Sequence, residues 1–362
     1  MTTTAGQSYA TAPNRLMHAS NGIDYAYREI GTGTIPLVLL QHFRGNLENW
    51  DPPLLDALAS QRRVIAFDNV GIGATTGTTP NTMEQMAHDA LFFIDALEVP
   101  QVDILGFSIG SFVAQEIALT RPDVVRRLVL ASSAPRGGAK MHGWAPEVIN
   151  AVGRPEPDPG GYLDVFFTSS PASRQAGQEA LGRIYGRTVD VDEFASWSSR
   201  LAQYDAVCDW GIPNHAALQR VSAISHPVFI ANGDRDPMIL PHFSYLLAGL
   251  IPQAKIKIYP DAAHGFLFQH ATSSPPTSTH SSTTASQIKP KLLQIRAMTC
   301  EPTLLPAGQD NPSRSRRFIN HKNNIIMNRS GFDAGFMVEA SPAGTPGFER
   351  NRWSRIRRAE CS

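Results

Sequence analysis

A chain of 362 residues, 42% of them hydrophobic, can bury one large α/β domain or two small ones. Its 32 Lys and Arg balance 32 Asp and Glu, which argues against a uniformly basic nucleic-acid binder. Three widely spaced cysteines (Cys208, Cys300, Cys361) argue against a disulfide framework or a thiolate zinc site.

Residues 23–28 alternate like an exposed antiparallel strand. The runs 36–41 (PLVLLQ), 64–68 (VIAFD) and 102–107 (VDILGF) read as strands buried on both faces, 128–131 and 228–231 extend the series, and 256–259 closes it. Between them, 83–97 and 108–119 carry apolar residues at helical spacing. Strands alternating with helices imply an α/β fold: a mostly parallel sheet with helices on both faces and functional residues at the strands' carboxyl ends. Residues 135–223 interrupt the rhythm with helix-like pieces and no strand run, as a helical cap over that edge would.

The neutral total hides a division near residue 270. Residues 1–270 carry 19 basic and 26 acidic side chains, whereas 271–362 carry 13 and 6. Residues 272–286 hold 11 Ser or Thr, too polar to offset their ordering entropy. The expected organisation is one domain over 1–270 and a basic, disordered tail over 271–362. The abrupt change of composition looks more like sequence read in a shifted frame than an evolved module. No aromatic-interleaved basic motif supports nucleic-acid binding. No apolar run approaches the roughly 18 residues of a membrane span. The opening Met1-Thr-Thr-Thr-Ala lacks the basic and apolar stretches of a secretory signal. A soluble, cytoplasmic protein with no membrane partner is expected.

The sharpest chemical signal is Gly106-Phe107-Ser108-Ile109-Gly110, placed after one expected strand and before one expected helix. That is the context of a nucleophile elbow: a serine on a strained strand-to-helix turn needs small neighbours two residues either side. The bland alternative is a Gly-rich turn with a capping serine. Downstream, Asn232-Gly233-Asp234-Arg235-Asp236-Pro237 puts two carboxylates after a strand, and Asp261-Ala262-Ala263-His264-Gly265 puts a histidine after the last one. The chain order serine, carboxylate, histidine is the one this chemistry uses on an α/β sheet.

With these pieces in place, residues from about 20 to 270 resemble the α/β-hydrolase superfamily, closest in motif style to serine esterases and cofactor-free haloperoxidase-like hydrolases. The resemblance rests on His42-Phe43-Arg44-Gly45-Asn46, Asp68-Asn69-Val70-Gly71-Ile72-Gly73, the elbow, the Gly-x-x-Asp of residues 233–236, and His264. It implies Ser108 as nucleophile, His264 as base and Asp236 as the acid, with Asp234 the competing carboxylate. The acid of some relatives follows the strand before the cap, but Ala131-Ser132-Ser133-Ala134 offers no carboxylate there. The family pattern has glycine directly after the first histidine, whereas Phe43 and Arg44 follow His42 here. The backbone N–H groups of Phe43 and Ile109 are the expected oxyanion donors, with Arg44 the alternative to Phe43. Otherwise Arg44 reads as a solvated loop residue, His42 as a prop for the loop, and His88 and His226 as surface or packing residues.

The resemblance thus implies a serine hydrolase acting on a small-molecule ester or similar acyl substrate, with no metal and no cofactor. Perhydrolysis, acyl transfer and C–C bond hydrolysis use the same triad. A serine in place of aspartate disfavours epoxide-hydrolase and haloalkane-dehalogenase chemistry. The rival from another class is a non-catalytic ligand-binding protein on the same fold, which the complete triad weighs against. The cap aromatics Trp144, Phe166, Phe167, Trp197, Tyr204 and Trp210 read equally as an apolar pocket or as packing between cap helices.

Overall fold

The computed structural model describes residues 7–271 except Pro157. Its apolar runs pair into one eight-stranded sheet: β1 (Arg15–His18), β2 (Asp24–Ile30), β3 (Leu37–Leu40), β4 (Val64–Phe67), β5 (Val102–Phe107), β6 (Val125–Ala131), β7 (Val228–Gly233) and β8 (Ala254–Tyr259). The order is β1-β2-β4-β3-β5-β6-β7-β8, antiparallel at the first two pairings and parallel beyond. Every residue of β3, β4 and β5 is buried, as parallel strands covered on both faces require.

The body helices are α1 (Pro52–Ala59), α2 (Met83–Ala96) and α3 (Ile109–Thr120). Between β6 and β7 come α4 (Pro146–Val152), α5 (Pro159–Phe166), α6 (Pro171–Ile184), α7 (Trp197–Trp210) and α8 (His215–Arg220), which make up the expected cap. The chain closes with α9 (Pro241–Leu250) and α10 (Phe266–Gln269). Cap helices start where side chains can serve orphan N–H groups: Ser170 accepts from Ser173, Ser196 from Ser199, and Asn214 from Ala217. At the far end of α7, Trp210 stacks on Phe112 of α3 with centroids 5.0 Å apart, and its indole N–H donates to the Ala134 carbonyl at 3.1 Å. That contact ties cap to body.

Register sets where the chemistry can gather. Leu40 pairs Gly106, Phe107 pairs Ala131, Ala131 pairs Ala231, and Gly233 pairs Tyr259. The carboxyl ends of β3, β5, β6, β7 and β8 therefore form one row.

The structure corrects the reading of residues 23–28 as an exposed strand. β2 is antiparallel but buried from Tyr25 to Ile30. Tyr25 and Tyr27 pack on Phe93, while the polar positions are neutralised by distant partners. Arg28 pairs with buried Glu48 beneath the Tyr9 ring, and Glu29 pairs with Arg63 at 2.9 Å. Alternating polarity marks an exposed face only when the polar groups lack buried partners. No sequence pattern places the short edge strand β1 at residues 15–18. The expected tail lies outside the described residues.

One buried pair is left unbalanced. Asp68, just after β4, and Asp192, between α6 and α7, are both buried, and Gly73 (φ 54°) packs against both carboxyls. Among the described residues, both Asp68 carboxyl oxygens and Asp192 Oδ2 lack a well-aligned donor. Burial first, then contact with Asp192, pushes the Asp68 carboxyl well above the usual carboxylate range, against only a loosely aligned Leu47 N–H and the Arg28 charge. The folded chain therefore holds a proton that the unfolded chain has released, so stability falls as pH rises from about 4 through the folded-state value. Asp192→Asn lets an amide N–H donate to Asp68 while its oxygen keeps the Glu193 N–H. The variant should melt several degrees higher than wild type at pH 8, with a smaller difference at pH 4.5. An equal or lower melting temperature at pH 8 would exclude this strain.

Candidate active site

Ser108 sits between the end of β5 and the start of α3 at φ 57°, ψ −125°. For a residue with a Cβ this backbone costs about 1–3 kcal/mol and persists only where neighbours enforce it. Its N–H donates to Ala131 at 2.9 Å, and its carbonyl accepts from the Ser111 N–H (2.8 Å) and hydroxyl (2.5 Å). A Cβ on Gly110 would run into the Leu40 and Gln41 carbonyls, and one on Gly106 into the first turn of α3. Both small neighbours are therefore steric requirements. The Ser108 side chain is fully buried, and its Oγ makes no hydrogen bond among the described residues.

His264, in the loop after β8, meets Asp236, in the loop after β7: Nδ1 lies 2.8 Å from Oδ2, with both side chains buried. Asp236 Oδ1 accepts the Met238 and Ile239 N–H groups, each at 2.9 Å. A carboxylate so engaged fixes the ring with its proton on Nδ1, leaving Nε2 as an acceptor. That nitrogen is buried and also without a partner among the described residues. The ring stacks on Phe107, the residue before Ser108, at 5.1 Å, and meets Phe166 edge-on at 5.0 Å. Asp234 is exposed and accepts the Ala262 N–H at 3.2 Å, so the structure brings His264 to Asp236 and not to Asp234. Buried Ser132 (φ 47°) at the end of β6 donates to Asn232 at 2.9 Å, and the Asn232 amide donates to the Ile239 carbonyl at 2.9 Å. These bonds tie the strand tips to the loop that carries Asp236.

The loop after β3 supplies the remaining polar groups. His42 has Nδ1 2.9 Å from the Phe43 carbonyl and Nε2 3.0 Å from the Tyr162 hydroxyl. Burial, with His264 adding a little, pushes its pKa down to about 3, so it stays neutral. The Arg44 N–H is committed to Gln203 Oε1 at 2.7 Å, which removes it as an oxyanion donor. The Phe43 N–H has no partner among the described residues, and Ile109, first in α3, has no intrahelical acceptor for its own. Arg44 is not a solvated loop residue, as its sequence context suggested. Its guanidinium reaches the carbonyls of Arg154 (2.5 Å) and Pro155 (3.0 Å) in the loop just after α4.

A cavity of about 60 Å³ adjoins the site, lined by His42, Phe43, Tyr162, Phe166, Met238 and His264 among others, with the exposed Phe194 also on its wall. The cap aromatics divide between the two roles considered for them. Phe166 reaches the site, Trp144 and Tyr204 pack around Phe43, and Trp210 joins cap to body. Tyr162 and Gln203 carried no signal of their own in the sequence. The only hint of Tyr162 is its helical spacing from Phe166, on which it stacks at 3.7 Å. Among the described residues no three His, Cys, Asp or Glu side chains gather as a metal site, and no helix is long and apolar enough to cross a membrane.

Comparison with known proteins decides the family. Residues 35–271 match the family described as alpha/beta hydrolase fold. The chain belongs to the α/β-hydrolase fold family. A solved structure, "Alpha/beta hydrolase fold protein from Chitinophaga pinensis", is 40% identical with a TM-score of 0.68, over 73% of this chain and 94% of that one. The protein named "Putative non-heme bromoperoxidase BpoC" from Mycobacterium tuberculosis is 27% identical over 256 residues, 68% of this chain and 93% of that protein. "Putative carbamate hydrolase RutD" from Azorhizobium caulinodans is 25% identical over 266 residues, 69% and 92% of the two chains. This α/β-hydrolase is an enzyme of the hydrolase class.

Proposed function

We propose that this α/β-hydrolase is a serine hydrolase that cleaves an ester or similar acyl substrate through an acyl-enzyme on Ser108. The observation that carries the reading is the His264–Asp236 bond of 2.8 Å, with His264 Nε2 unengaged among the described residues and the ring stacked on Phe107, the residue before the strained Ser108. In this mechanism Ser108 Oγ attacks the carbonyl while His264 Nε2 takes its proton. Asp236 holds the Nδ1–H tautomer and stabilises the imidazolium. The Phe43 and Ile109 N–H groups receive the oxyanion, each donor being worth about 3 kcal/mol. The tetrahedral intermediate collapses as His264 protonates the leaving alcohol. Water, deprotonated by His264, then releases the acid and restores Ser108. His42 is unsuited to be the base, since its Nε2 is engaged by Tyr162 and its proton affinity is low.

The similarity to a protein named as a bromoperoxidase supports a second use of the same intermediate, attack by hydrogen peroxide instead of water to give a peracid. A panel of p-nitrophenyl esters of graded acyl length tests the main reading. Turnover of at least one ester, with peracid forming only when peroxide is added, is the expected result. No turnover of any ester by folded protein would count against it.

A further inference from the structure

The loop that would present the Phe43 N–H is gripped by the cap from three sides. From α5, the Tyr162 hydroxyl donates to His42 Nε2 at 3.0 Å. From α7, Gln203 Oε1 accepts the Arg44 N–H at 2.7 Å. In the loop just after α4, the carbonyls of Arg154 and Pro155 accept N–H groups of the Arg44 guanidinium. The loop needs such restraint. Arg44 sits at φ 62°, in the left-handed region that costs a side-chain-bearing residue energy, and it stands close to where the family carries glycine. The restraint also reaches the reacting geometry. With Tyr162 on Nε2, His42 has Nδ1–H to donate to the Phe43 carbonyl, and the two bonds together fix Phe43 between a held side chain before it and a clamped Arg44 after it. The same helix α5 holds the base loop, because the Val165 and Phe166 carbonyls accept the His264 and Gly265 N–H groups at 3.3 and 2.8 Å.

We propose that Tyr162 and Arg44 are positioning residues through which the cap aligns the Phe43 N–H with the oxyanion; the chemical meaning of this rests on the serine-hydrolase reading. The cap is then part of the catalytic scaffold and not only a cover. Preorganised donors matter because a misdirected N–H forfeits part of the 10²–10³-fold that one oxyanion donor supplies.

The test uses Tyr162→Phe, which keeps the stack on Phe166 and removes only the hydroxyl, together with Arg44→Ala and Arg44→Lys in the full chain. Three quantities are read: kcat and KM for an ester, inhibition by a trifluoromethyl ketone that forms a hemiketal oxyanion on the serine, and amide hydrogen exchange over residues 41–46. Tyr162→Phe should lose about 10-fold in kcat and Arg44→Ala about 10–100-fold, with KM within about threefold of wild type. Ketone affinity should fall in step with kcat/KM, and exchange over 41–46 should quicken. Arg44→Lys should resemble Arg44→Ala, because an ammonium cannot span the carbonyls that the fork reaches. Folded variants with wild-type kcat, ketone affinity and exchange would overturn the proposal. If wild type neither hydrolyses esters nor binds the ketone, the serine-hydrolase reading fails instead. The exchange rates then decide by themselves whether the cap holds the loop, and unchanged exchange refutes it.

Discussion

Replacing Ser108 with alanine should lower kcat/KM for ester hydrolysis by about 10⁴-fold or more while the chain stays folded. The chemical half of the expectation follows from mechanism: without Oγ no acyl-enzyme forms, and the other members of a triad working as a unit recover little. The structural half follows from the environment of the hydroxyl. Ser108 Oγ makes no hydrogen bond among the described residues, so its removal orphans no buried partner. Alanine carries the same Cβ and bears the same backbone strain at φ 57°. Steady-state kinetics and a thermal melt check both halves, and a folded variant that keeps more than a tenth of wild-type activity contradicts the assignment.

Asp236→Asn should be nearly as damaging, with a loss in kcat on the order of 10⁴-fold. The asparagine oxygen can keep the Met238 and Ile239 N–H groups, so folding should be largely preserved. Its NH₂ group then faces His264 Nδ1 and forces that nitrogen to accept. The ring proton moves to Nε2, the tautomer that cannot take the serine proton. Asp234→Asn should cost no more than a few-fold, because residue 234 is exposed and an amide oxygen can still accept the Ala262 N–H. Measured kcat values in the reverse order, in folded proteins, would move the acid to Asp234.

What could be read from the sequence was whatever rests on local pattern. The elbow is a five-residue signal whose glycines are demanded by the Leu40 and Gln41 carbonyls and by the first turn of α3. The strands β3, β4 and β5 are continuous apolar runs because both their faces are buried. The cap shows itself as a long stretch without strands, and among its described residues five α-helices occupy it. What the sequence concealed depends on partners far away along the chain. β2 looked exposed because nothing near Arg28 and Glu29 reveals Glu48 and Arg63. Arg44 looked solvated because the carbonyls it grips lie about 110 residues on. Tyr162 was an unremarked residue of a cap helix until the fold put its hydroxyl against His42. The buried Asp68–Asp192 contact is of the same kind: Asp68 opens a motif of the body, but nothing around Asp192 in the cap marks it as the partner.

The central claim is that Ser108 is an activated nucleophile, and covalent labelling tests it most directly. A fluorophosphonate reacts with a serine whose proton is taken by a neighbouring base and whose developing oxyanion is received by donors. Digestion and mass spectrometry of the labelled full-length chain should find one adduct, on the peptide containing Ser108, absent from Ser108→Ala and strongly reduced in His264→Ala. A folded wild-type protein that takes up no label, or carries it on another residue, would contradict the account.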